Sequence, residues 1–332
     1  MAFICFLKAA SVTIANVGEE PLNNQPIDIM KLKITTWSQT FSIVACAGTI
    51  LLTVSTACAQ NIFVGNWFAP GVIYQITPGG SVSTFTSATT GEIEGMAFDQ
   101  SGNLYTADQL GNRIDVFTPG ASESTFASGL NAPNGLAFNS AGDLFVADHG
   151  SGNIYEYING VRSTFATGLT DLGELAFDPA GNLYASEKSL NTIVEFAPNG
   201  TPSIFATGLD IPVGLAFNTA GDMFVANSAN EVSGAGSVTE ITPGGQRSTT
   251  ASGLTGPASL AFDQSGDLFI ADQTIGAVTE INTQGVASTF ATGLGHDTIL
   301  AVQGVVLPVP EPSTTVLAAI AGAAFLVRRF RK

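Results

Sequence analysis

The sequence predicts an all-β protein, a six-bladed β-propeller built from four-stranded blades. Three observations lead there: one sentence written five times, a period near 40 residues, and two unmatched half-repeats that complete each other. The sentence reads GMAFDQSGNLYTAD from Gly95, GLAFNSAGDLFVAD from Gly135, ELAFDPAGNLYASE from Glu174, GLAFNTAGDMFVAN from Gly214 and SLAFDQSGDLFIAD from Ser259. Its phenylalanines, Phe98, Phe138, Phe177, Phe217 and Phe262, are separated by 40, 39, 40 and 45 residues. A period of that length marks a repeat architecture.

Each unit holds four short β-like pieces divided by turn residues, as in GLAF, DLFVAD, NIYEYI and VRSTFA of the unit that starts at Gly135. No stretch among them has the helical period, and four strands per 40 residues is a propeller blade. The first turn follows a D/N-x-x-G-D/N pattern. Gly102, Gly142, Gly181, Gly221 and Gly266 stand where a positive φ closes the hairpin. The residues that open it, Asp99, Asn139, Asp178, Asn218 and Asp263, are placed to bond the backbone two residues on. The Asp, Glu or Asn that ends each second-strand word (Asn66, Asp108, Asp148, Glu187, Asn227, Asp272) reads as a loop cap rather than a catalytic acid.

The ends of the repeated region set the blade count. NIFVGN, 61–66, matches the second-strand word but has no first strand before it; TILAVQ, 298–303, matches the first-strand word but has no second strand after it. The two fit as one composite blade, with its innermost strand from the C-terminal side and three outer strands from the N-terminal side. Such closure pairs two sheet edges that would otherwise be open to other chains. Counting the composite as blade 1, blade 5 carries the one insertion, Asn227 to Ser237, whose small polar residues suit an exposed loop.

Composition narrows the setting. Only 11% of the 332 residues are charged, and between Gln60 and Leu307 four bases (Arg113, Arg162, Lys188, Arg247) face 23 acids. A body near −19 repels nucleic acid and attracts cations. Residues 30–59 read as a signal peptide: KLK, an apolar run, and a small-residue cleavage site at Ala57-Cys58-Ala59 before Gln60. Residues 1–29 are then an over-long start. A lipoprotein reading of Cys58 is disfavoured by Ser55 three residues before it. Cys5, Cys46 and Cys58 all fall in the removed part, so disulfides and thiolate chemistry are excluded from the mature chain.

At the other end, 305–313 form a Pro-rich linker containing Val309-Pro310-Glu311-Pro312-Ser313, and 314–332 a short apolar run with a basic tail that includes Arg328 and Arg329. The apolar run falls short of the roughly 20 residues a spanning helix needs. This tail resembles the PEP-CTERM sorting signal. The resemblance implies export and processing by an exosortase-type enzyme near Pro310-Glu311-Pro312. It also implies delivery to the surface of a Gram-negative bacterium that makes exopolysaccharide, with membrane contact only through the transient C-terminal helix.

The words P-x-G-L-A-F, G-D-L-F-V-A-D and N-x-I-x-x-F resemble the NHL-repeat family and its six-bladed relatives, the gluconolactonase-like proteins and virginiamycin B lyase. Those scaffolds carry enzymes and binding modules alike. In the gluconolactonase-like family, E-G, N-G and D-G words at the entries to the innermost strands hold a divalent metal. Glu94-Gly95 and Asn134-Gly135 match the first two, whereas Val213-Gly214 and Ala258-Ser259 depart from the third. Glu174 and Asp297 are the candidates to complete a calcium or zinc site, against the alternative of solvated tunnel residues. The lyase resemblance draws attention to the two histidines, His149 and His296, as an acid/base pair on the same face; ordinary surface histidines are the alternative.

The reading that results is an exported, non-catalytic binding or extracellular-matrix-associated surface module, with exopolysaccharide or another surface ligand as the candidate partner. A metal-dependent lactone or ester hydrolase is the alternative, and a lyase a third. Mature protein recovered from the envelope is expected to begin near Gln60 and to lack the Arg-Arg-Phe-Arg-Lys tail. An intact-mass measurement that finds the basic tail on nearly all molecules would sink the sorting assignment.

Overall fold

A computed structural model describes residues 40–46, 49–55, 60–66, 71–89, 91–296 and 298–304. The chain divides into two compact units after Thr56. In the first, Thr40–Cys46 and Thr49–Ser55 pair as an antiparallel ribbon. The proposed cleavage residues Ala57 and Ala59, and the whole sorting tail, lie outside the described residues. Among the described residues no helix is long and apolar enough to cross a membrane.

The second unit holds six four-stranded antiparallel sheets. Five are continuous in the chain, with innermost strands Ile93–Phe98, Pro133–Phe138, Leu172–Phe177, Pro212–Phe217 and Pro257–Phe262 in blades 2 to 6. The sixth is the composite: Thr298–Val302 pairs with Ile62–Asn66, followed outward by Gly71–Ile76 and Val82–Thr89. Each innermost strand packs on the next, and Thr298–Val302 packs on both Pro257–Phe262 and Ile93–Phe98, so the ring closes. The register of the join places Leu300 opposite Val64 and Val302 opposite Ile62. Ser259 accepts a hydrogen bond from the Leu300 amide (3.1 Å) and ties the last strand to blade 6.

The D/N-x-x-G turns form as their residues dictate. Asp99 accepts from the amides of Ser101 (2.9 Å) and Asn103 (2.8 Å), and Asn139 accepts from Ala141 and Asp143. Gly102 has φ +80° and Gly142 +89°, values that L side chains rarely adopt.

Between blades the core is aromatic. The second-strand ring of one blade meets the first-strand phenylalanine of the next edge to face: Phe63 with Phe98, Tyr105 with Phe138, Phe145 with Phe177 and Phe224 with Phe262, at 4.9–5.0 Å between centroids. Tyr184 and Phe217 make the same contact, tilted, at 4.9 Å. A fourth-strand phenylalanine of the same blade, such as Phe85, Phe126, Phe165 or Phe205, holds the second-strand ring from its other side at 5.0–5.1 Å. Each such pair adds about 0.5–1.5 kcal/mol beyond the area it buries.

Leu300 is 5% exposed and sits among Ile62, Val64, Ile76 and Val302. Leu300→Asp puts a carboxylate there at a cost of several kcal/mol, against a typical total margin of about 5–15 kcal/mol. Thermal unfolding should lose its single cooperative transition. A variant that melts like the parent would show that the ring does not depend on the composite blade.

Candidate functional site

The site grows from where the innermost strands begin. Glu94, Asn134 and Glu174, from adjacent blades 2, 3 and 4, line one cavity of about 480 Å³ at that end of the tunnel. Ile211, Val213, Ala258 and Ile299 form the opposite wall, on blades 5, 6 and 1. Around the mouth stand Lys188, Gln273 and three residues of the blade 5 insertion, Ser228, Asn230 and Glu231. The tunnel entry is thus lined by polar side chains on blades 2 to 4, with Ile93 the apolar exception, and by apolar ones on blades 5, 6 and 1.

The inner strands approach one another closely enough to select glycine. A Cβ at Gly95 would collide with the Asn134 carbonyl, one at Gly135 would stand 2.6 Å from the Gly173 carbonyl, and one at Gly214 would collide with the Ala258 carbonyl. Blade 4 has Glu174 at the equivalent position. Its amide donates to Ser186 Oγ (3.0 Å), which in turn donates to the Val213 carbonyl (2.9 Å). Ser186 is fully buried and stands where blades 2, 3, 5 and 6 have Ala107, Ala147, Ala226 and Ala271.

Glu174 is half-buried on the tunnel side of blades 3 and 4 and lines the cavity. Burial pushes its pKa up to about 8, and the neighbouring charge of Glu94 adds to the rise. The amides of Leu175 and Leu136 donate to it and pull the other way, without prevailing. Glu174 is thereby biased toward its protonated form near neutral pH. Asn134 is 6% exposed.

The insertion does more than span a gap. Ala229–Glu231 forms a short 3₁₀ turn, pinned by the bonds from the Ser228 amide to the Ile211 carbonyl (3.1 Å) and from the Ala229 amide to the Asp210 carbonyl (3.2 Å). Glu231 accepts from Gln273 (2.7 Å), which joins blades 5 and 6 across the mouth. The sequence marked this segment as an exposed loop; its folding over the cavity depends on tertiary bonds the local pattern does not encode.

The histidines stand apart from this cavity. His149 lies in blade 3, with Nδ1 3.1 Å from the Leu172 carbonyl and 3.6 Å from Asp171, while exposed His296 precedes the last strand of the ring. Six-fold geometry puts the junction of blades 3 and 4 across the ring from that of blades 6 and 1, so the two are not brought together as an acid/base pair. Asp297 lies outside the described residues. The buried carboxylates that end the second strands are loop caps, as expected. Asp148 accepts from the Asn131 amide and Ser151, Glu187 from the Thr170 amide, and Asp272 from the amides of Thr255, Gly256 and Thr274.

For a divalent metal the fit is poor. Calcium takes six to eight oxygens, whereas Glu94, Asn134 and Glu174 approach from one half of the ring and Val213 and Ala258 face them without a donor. Among the described residues no group of three or more His, Cys, Asp or Glu is placed to hold a metal ion.

A closed ring of six blades with a cavity at the strand entries defines the class. Residues 94–293 match the SMP-30/Gluconolactonase/LRE-like region, and the chain belongs to that family. Residues 308–332 match the PEP-CTERM protein-sorting motif, which implies export and processing by an exosortase-type system. No curated protein matches the chain. Among solved structures it is similar to a chain of a nidogen/laminin complex, at 19% identity over 74% of this chain and 98% of that one, with a TM-score of 0.65. It is also similar to virginiamycin B lyase from Staphylococcus aureus (12% identity, 76% and 84% coverage, TM-score 0.53). A gluconolactonase from Xanthomonas campestris is a third (18% identity, 61% and 76% coverage, TM-score 0.53). At such identities the likeness is one of fold.

The raised pKa of Glu174 has a consequence for stability. The folded protein holds a proton that the unfolded chain releases above its ordinary value near 4.5, so stability is greatest below that pH and falls as pH rises toward about 8, by on the order of a few kcal/mol. Glu174→Gln removes this dependence. Melting temperatures at pH 4, 6 and 9 should show the variant gaining on the parent as pH rises; a constant difference would refute the raised pKa of the carboxyl.

Proposed function

We propose that the protein is an exported, non-catalytic binding module of the cell surface, and that the cavity at the strand entries is its ligand site. The observation that supports this most is the division of the cavity wall. Three polar groups on adjacent blades face an apolar wall, which suits a ligand with one polar end and one carbon-rich side. The blade 5 insertion and Gln273 add a rim that the repeat alone does not supply. The sorting motif agrees with a role at the surface, and exopolysaccharide remains the partner that the resemblance of the tail suggests.

Lactone or ester hydrolysis is the second reading, and family membership together with the in-register pair Glu94 and Asn134 favours it. It requires a cation whose shell is completed from beyond the described groups, with Asp297 as the candidate, since blades 5 and 6 present Val213 and Ala258. In that case Glu94, Asn134 and Glu174 would hold the ion, which would supply polarisation of the ester carbonyl.

A lactone assay separates the two. Purified protein should show no turnover of δ-gluconolactone with calcium or zinc, and Glu94→Gln should leave its melting temperature nearly unchanged with and without those ions. Metal-dependent turnover that disappears in Glu94→Gln would overturn the binding reading.

A further inference from the structure

The cavity's donors and acceptors specify more than a binding site. Asn134 is 6% exposed, yet no protein group among the described residues hydrogen-bonds its side-chain amide. Its amide is not sealed in the wall but opens on the cavity, where a partner from outside the chain can reach it. Glu94 and Glu174 flank it on the neighbouring blades. Glu174 is no incidental neighbour: it replaces the glycine of blades 2, 3 and 5, and Ser186, in place of an alanine, holds its backbone against blade 5. Two coupled departures from the repeat in one blade build this carboxyl into the wall.

We propose that the cavity receives a small alkylammonium group, its charge within the arc of Glu94, Asn134 and Glu174 and its carbon chain against Val213, Ala258 and Ile299. This rests on the reading of the cavity as a binding site and gives its ligand a chemistry. An ammonium has three N–H donors and no acceptor. The arc offers three oxygen-bearing side chains, one from each of three adjacent blades. A bare or hydrated divalent ion would leave the apolar wall without a role, whereas an alkyl chain takes that wall out of water. Lys188, the one cationic side chain at the mouth among the described residues, is paired with Asp171 at 3.7 Å, and Glu231 is engaged by Gln273. The acidic body concentrates cations around the mouth.

The test uses n-butylammonium chloride on the protein expressed from the full sequence, with n-butanol as the uncharged isostere and calcium chloride as the inorganic cation, all at matched ionic strength. Butylammonium should raise the melting temperature in a saturable way and give a calorimetric isotherm, and butanol and calcium should give neither. Glu174→Gln and Asn134→Leu should each weaken binding about tenfold or more, a loss of about 1.4 kcal/mol. Ser186→Ala, which touches no ligand, should weaken it less while leaving a cooperative melt. An equal response to butanol, saturation by calcium alone, or affinity unchanged in Glu174→Gln would each overturn the assignment. Lactone turnover would refute the non-catalytic reading and leave this measurement standing. No turnover with no butylammonium binding would refute the ligand chemistry alone.

Discussion

Everything in this ring depends on a contact between blades rather than within them: one aromatic side chain held edge-on between two others. A single four-stranded sheet has no partner for its faces, and it becomes stable only by lending an aromatic ring to its neighbour. Phe145, for example, packs at 5.1 Å on Phe165 of its own blade and at 5.0 Å on Phe177 of the next. The motif repeats around the ring with two local departures. Blade 5 has Thr250 where its siblings have a fourth-strand phenylalanine, and the last strand brings Val302 where a first-strand phenylalanine is due. Thr250 Oγ1 is buried with no hydrogen-bond partner, the mark of a position where the shared pattern has been relaxed.

Because the aromatic layer sets the spacing of the blades, it also sets how near the innermost strands come to the axis. That distance leaves no room for a side chain at Gly95, Gly135 or Gly214. Chemistry at the tunnel entry must then come from the residue beside the glycine, as with Glu94 and Asn134, or from a blade that abandons the glycine. Blade 4 takes the second course, and the cost is visible in Glu174, a half-buried carboxyl whose pKa desolvation pushes up to about 8. A scaffold that tolerates such a group has given up stability at one point in the wall for a polar surface there.

The fold was legible in the sequence to an unusual degree because its determinants are local and written repeatedly. Turn glycines, cap residues and alternating strands each appear five times, so chance agreement at one copy hardly matters. The composite blade was legible as well, since two incomplete words at 61–66 and 298–303 have only one economical arrangement. The site was partly so. Departures from the repeat at Glu94, Asn134 and Glu174 marked residues that the ring brings to one cavity. The two histidines belong to different junctions of the ring, a position that a shared face does not reveal. Two features were out of reach: the folding of Ala229–Glu231 over the mouth, which rests on bonds to Asp210 and Ile211, and the role of Ser186, a one-atom difference from alanine whose meaning lies in the Val213 carbonyl of another blade. Ser186 did differ from its four aligned alanines, and that was the signal to follow.

The strand that completes blade 1 is the last part of the ring to be synthesised. Until Thr298–Val302 is available, five blades and a fraction of a sixth stand in an open arc with unpaired edges at both ends. The sorting motif begins at residue 308, only six residues after Val302, a reach of about 20 Å even when fully extended. Processing at the start of that motif would take place within that length of chain from the last strand of the ring. The tail and the ring are therefore not independent modules on one chain: a truncation that removes the address, if it strays a few residues too far, also unlatches the structure that the address was meant to deliver.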